Sequence, residues 1–163
     1  MRVLGIDPGY AIVGWGVVEY AGNRFAPVDF GAVCTDAGVP FERRLDEVYT
    51  GIKEVIERTK PEVLAIEKLF YQHNQTTVIG VAEARGVILL AAAQAGLPIY
   101  EYTPMQVKQA VTGYGKADKR QVQQMVKLLL NLPEIPKPDD AADGLAIAIT
   151  HAHSMRMRQN YRI

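Results

Sequence analysis

The stretch "RVLGIDPGYAIVGWGVVEYAGNRFAPVDFGAVCT" (residues 2–35) decides the fold. Its apolar residues come in short runs, and turn-forming residues divide them. "RVLGID" (2–7) stops at Asp7-Pro8-Gly9, a turn signal. "AIVGWGVVEY" (11–20) reads as a second strand, Asn23 falls in a hairpin turn, and "RFAPVDFGAVCT" (24–35) reads as a third. Three successive strands with short links make an antiparallel meander.

Beyond the meander the period changes. Leu45, Val48, Ile52, Val55 and Ile56 recur at helical spacing and predict a helix over about 40–60. "EVLAIE" (62–67) is a buried strand, followed by the polar loop "YQHNQTT" and a long helix over about 76–95 that Gly96 ends. "LPIYEY" (97–102) is the last strand. One helix begins near Pro104, a second runs over about 119–130, and the final one starts at Pro138. The alternating strands and helices imply parallel neighbours joined by right-handed crossovers. The predicted class is α/β: a five-stranded mixed sheet, three antiparallel strands then two parallel, flanked by helices on both faces.

Composition narrows the function. At 163 residues, 48% hydrophobic and 22% charged, the chain reads as one globular domain. Its longest fully apolar run, Val87 to Ala93, is shorter than the roughly 18 residues of a membrane span. The start "MRVLGID" shows no signal-peptide pattern, and the lone Cys34 allows no internal disulfide, so a reducing cytoplasm is expected. One Cys and three His (His73, His151, His153) do not make a zinc-spaced set. Net charge is zero, yet the C-terminal third is basic once Asp139, Asp140 and Asp143 are set aside: Lys108, Lys116, Lys119, Arg120, Lys127, then Arg156, Arg158 and Arg162. Such asymmetry points to a polyanion, or to a solvated face with a basic tail.

The acids carry the chemistry. Side chains alternate along a strand, so Val3, Gly5 and Asp7 share a face, as do Val63, Ala65 and Glu67. Both acids end their strand two positions after a small residue, which lets another element approach closely. "DDAADGLAIAITHAH" (139–153), rich in alanine near its start, suits that role, and Asp140 and Asp143, three apart, share one of its faces. Convergence of Asp7, Glu67, Asp140 and Asp143 would be repulsive unless protonated or neutralised by cations. Oxygen-rich sites suit Mg²⁺ or Mn²⁺, and two such ions can drive phosphodiester hydrolysis. Each acid also has an ordinary role. Asp7 can serve the turn, Glu67 can pair with Lys68, Asp139 or Asp140 can cap the helix, and Asp143 can answer its dipole.

With these motifs in view, "GIDPG", "AIEKLFYQHN" and "DDAADGLAIAITHAH", with "TPMQVKQAVTGYGKADKRQVQ" between, the chain resembles the RuvC family of bacterial Holliday junction resolvases, within the ribonuclease H-like superfamily. The resemblance implies a single ribonuclease H-like nuclease domain (1–155) and a short basic tail (156–163). It implies a homodimer that nicks two strands of a four-way DNA junction symmetrically, in recombination and repair, beside the RuvA–RuvB branch-migration machinery. It also implies magnesium, two ions per site with manganese able to substitute, on Asp7, Glu67, Asp140 and Asp143. Lys108 and Lys119 would serve DNA binding and cleavage, and Phe70 would stack on junction bases.

The residues support these roles unevenly. Phe70 and Tyr71 follow the Glu67 strand end, where aromatics can stack on unpaired bases or plug a loop. Lys119 opens a helix, where a cation opposes the dipole, which suggests a phosphate partner. Lys116 and Arg120 beside it are further candidate DNA contacts. "GYGKADKR" lacks the spacing of a nucleotide-binding loop. His153 is expected at the surface, and His151 on roughly the face of Asp143. The helix with Gly80, Ala82, Ala84 and Gly86 can pack in the core or against a partner chain. Three rival readings stand beside this one. "DPGYAIVG" also resembles the phosphate hairpin of actin and Hsp70-like ATPases, which bind nucleotide between two such domains. A YqgF-type relative acting on RNA or other DNA shares the first motif. The third is a catalytically dead DNA-binding scaffold, against which the presence of all four acids argues.

Overall fold

The computed structural model describes residues 1–70, 75–155 and 162–163. Three strands open the chain: β1 (Arg2–Asp7), β2 (Ile12–Ala21) and β3 (Arg24–Cys34). Then come α1 (Phe41–Thr59), β4 (Val63–Glu67), α2 (Gln75–Gln94), β5 (Ile99–Tyr102), α3 (Pro104–Thr112), α4 (Lys119–Leu129) and α5 (Asp139–His153). The order is the predicted one. Gly22 and Asn23, both at positive φ, turn the β2–β3 hairpin, and Gly96 at φ 71° follows the end of α2. β5 is two residues shorter than expected, because Leu97 and Pro98 lead into the strand; the Pro98 carbonyl still accepts from the Leu64 N–H at 3.0 Å.

The sheet runs β3-β2-β1-β4-β5. β1 pairs antiparallel with β2 and parallel with β4, and β4 pairs parallel with β5. Alternation along the strands builds two cores. Leu4, Ile6, Val13, Trp15, Leu64 and Ile66 face α1 and α2. Val3, Val18, Val63 and Ala65 face α3, α4 and α5. At the outer edge, Arg162 bridges to Tyr100, and the Ile163 N–H donates to the Ile99 carbonyl at 3.1 Å. Arg156 and Arg158 of the expected tail lie outside the described residues.

By length and composition alone, Thr77–Gln94 of α2, with mean hydropathy 1.4, could cross a membrane, although Glu83 and Arg85 divide the segment. Here α2 belongs to the core layer: Ala84, Ile88, Ala91 and Ala92 are buried, and Arg85 forms an ion pair with Glu101 of β5 at 2.8 Å.

Candidate active site

Ile6 and Ile66 are partners in the parallel β1–β4 ladder, so Asp7 and Glu67 leave neighbouring strands at the same level. Asp140 and Asp143 arrive from the first turns of α5. That helix needs bare backbone beneath it. A Cβ on Gly5 would lie 2.1 Å from the Gly144 carbonyl oxygen, and one on Gly14 would lie 1.9 Å from the Asp140 carbonyl oxygen. A Cβ on Gly16 would meet the Leu145 side chain at 2.5 Å. Gly5 was legible from the strand pattern. The β2 glycines were missed, although Gly14 is the ladder partner of Asp7.

One carboxylate oxygen from each of Asp7, Asp140 and Asp143 lies within 4.8 Å of the others. Glu67 stands just outside this tight trio but lines the same 230 Å³ cavity as Asp7, Asp143, Lys108 and Lys119. Burial pushes the Asp7 carboxyl up from near 3.8 to about 8, with Glu67, Asp143 and Asp140 adding repulsion. Burial, with the charge of Asp143, raises Glu67 from 4.5 to about 7 against the pull of Lys108. Asp143 is raised by burial and Asp140 against the pull of Lys119.

Lys119 Nζ lies 3.5 Å from Asp143 Oδ2 and 3.9 Å from Asp139 Oδ2. Burial pulls its pKa down, but Asp143, Asp139 and Asp140 together outweigh this and raise it. The expectation that its place against the helix dipole signalled a phosphate is therefore incomplete, since carboxylates already answer it. One lysine does not neutralise four carboxylates. The donors are all oxygen and partly buried, and Asp7, Glu67 and Asp143 have raised proton affinity, so the set fits a hard divalent cation.

A raised carboxyl pKa means that the folded protein holds a proton the unfolded chain has lost, so stability falls as pH rises from about 4 to about 8. The melting temperature of metal-free protein should decline across that window, and a divalent cation should raise it most at the upper end. Asp7→Asn should flatten the decline. An unchanged slope in that variant would remove the Asp7 carboxyl from this account.

The remaining candidates separate. Phe70, 52% exposed, lines a second 230 Å³ cavity with Asp7, Pro8, Glu67, Lys68 and Pro104, so it stands at the lip of the carboxylate site. Lys116 is exposed in the α3–α4 loop, and Arg120 lines a different cavity of 470 Å³ with Tyr114 and Gln124. Tyr71 lies outside the described residues. Two side-chain expectations change. Asp139 is not a cap, because Pro138 occupies that position and no side-chain cap bond forms. Lys68 pairs with Glu101 at 3.4 Å rather than with Glu67. His151 is wholly buried, with Nδ1 at 2.8 Å from the Tyr102 hydroxyl, two helical turns beyond Asp143; His153 is exposed, as expected.

The model of the crossover junction endodeoxyribonuclease RuvC family matches residues 3–151. A RuvC from Caldanaerobacter subterraneus is 60% identical over 96% of this chain and 95% of its own length. One from Brevibacillus brevis is 57% identical over 93% and 92%. The chain belongs to the RuvC family. Among solved structures, T. thermophilus RuvC in complex with Holliday junction substrate is 40% identical and covers 100% of this chain and 99% of that one, with a TM-score of 0.94. The yeast mitochondrial Holliday junction resolvase Ydc2, 15% identical over 98% and 82% with a TM-score of 0.68, shares the fold alone. RuvC membership sets aside the ATPase rival and the YqgF-type alternative.

Proposed function

We propose that this chain is a structure-selective endonuclease that resolves four-way DNA junctions by symmetric, metal-dependent nicking of two strands. The observation that carries the reading is the trio Asp7, Asp140 and Asp143 within 4.8 Å, with Lys119 against Asp143. The chain that holds this trio is 40% identical over its whole length to T. thermophilus RuvC solved on a Holliday junction.

Asp7, Asp140 and Asp143, joined by Glu67, would hold two Mg²⁺ ions, with Mn²⁺ able to substitute. Magnesium there supplies charge stabilisation for phosphoryl transfer and makes water a competent nucleophile near neutral pH. Lys119 contacts the reacting phosphate and counters charge that develops on its oxygens. Lys108, which lines the same cavity, draws the DNA backbone in and moderates the charge of Glu67. Phe70 offers a ring beside the carboxylates on which an unpaired junction base can stack. Tyr71, Lys116 and Arg120 extend the DNA contacts. The chemistry takes place in the cytoplasm, alongside RuvA–RuvB branch migration.

Symmetric nicking requires two sites, and α2 supports a homodimer. Ile79 is 63% exposed and Leu90 50% exposed, and they recur with Ala82, Gly86 and Ala93 along one stripe of the helix. A Cβ on Gly86 would touch nothing, which leaves room for a second helix to approach. Leu90→Glu places a charge in that stripe. It should give a monomer by light scattering, and paired nicking of the junction should become single or absent. A Leu90→Glu dimer with paired nicking would remove α2 from the interface.

A further inference from the structure

Glu67 is the acid with the weakest local support. It stands outside the tight trio, and β4 ends at its own residue. Yet the peptide that carries it is held from two directions. Arg85 of α2, only 15% exposed, donates from Nε to the Glu67 carbonyl at 3.4 Å, and its Nη2 pairs with Glu101 Oε2 at 2.8 Å. The other oxygen of Glu101 pairs with Lys68 Nζ at 3.4 Å. The Lys68 N–H also donates to the Tyr102 carbonyl at 2.8 Å. Residues 67 and 68 are therefore tied to both α2 and β5.

We propose that Arg85, braced by Glu101, is a positioning residue that fixes the Glu67 peptide so that its carboxylate can share a cation with Asp7, Asp140 and Asp143. The inference rests on the metal reading above. The guanidinium suits the task because its planar fork serves a carboxylate and a carbonyl at once, which a single ammonium does not. An ion pair held mostly out of water adds little stability by itself, since desolvation offsets attraction. Groups that orient a metal ligand affect metal affinity by about 10–100-fold.

The test measures Mn²⁺ binding to the free protein by calorimetry, without DNA. Glu101→Gln and Arg85→Lys should each weaken binding about tenfold or more. Lys68→Ala, at a half-exposed position, should weaken it in the same direction by less, so the result does not hang on one folded variant. In a Glu67→Gln background, Glu101→Gln should add no further loss, because the group it positions is already gone. A purely structural role would leave the Mn²⁺ affinity of these folded variants at the wild-type level, or would give the same loss with and without the Glu67 carboxylate; either result overturns the proposal. Absence of saturable Mn²⁺ binding by the wild type would overturn the metal reading itself, and this inference with it.

Discussion

Asp7→Asn should abolish junction nicking, with a loss on the order of a thousandfold or more, while junction binding is kept or strengthened. Asn preserves the shape of the side chain and removes its charge. Asp7 is the acid whose charge all three others oppose, so it is the central member of the cluster. Removing its charge weakens cation binding and also removes a repulsion toward phosphate. The measurement is single-turnover nicking of an end-labelled junction beside a gel-shift titration with the same DNA. Lost binding in a folded variant would contradict the division between carboxylates that cut and lysines that hold.

Gly14→Ala should do comparable damage from a position with no chemistry of its own. The new methyl would lie 1.9 Å from the Asp140 carbonyl oxygen and 2.3 Å from its carbon. Backbone atoms cannot rotate aside, so α5 must lift from β2. Overpacking of this kind costs about 1–3 kcal/mol, visible as a lower denaturant midpoint. Whatever folds should be almost inactive, because lifting α5 draws Asp140 and Asp143 away from Asp7. Normal nicking by Gly14→Ala would show that the close approach of α5 is not what assembles the site.

These two residues show how far the sequence could be read. Asp7, Glu67, Asp140 and Asp143 were legible because strand alternation and helix spacing are local rules. The small residues Gly5 and Ala65 then said where a helix might land. Gly14 and Gly16 were not legible, because the reason for a glycine there is the backbone of α5, more than a hundred residues later. The Arg85–Glu101–Lys68 bridge was hidden for the same reason: its members come from α2, β5 and the segment after β4. Asp139 misled because an acid at a helix start looks like a cap, while Pro138 had already taken that position. Lys119 looked misplaced only until Asp143 and Asp139 were seen beside it. α2 was legible as a helix, but not its ion pair, because Arg85 turns inward to Glu101 of a later strand.

The central claim is that four carboxylates and two lysines form a metal-dependent site that acts on a four-way junction. The most direct measurement incubates the protein with an end-labelled four-way junction and with linear duplex of the same arm sequence, with Mg²⁺ and with EDTA. The expected result is nicks at symmetric positions on two opposed strands of the junction, with Mg²⁺ only, and an intact duplex. Equal cutting of the duplex, or junction cutting that persists in EDTA, would contradict it.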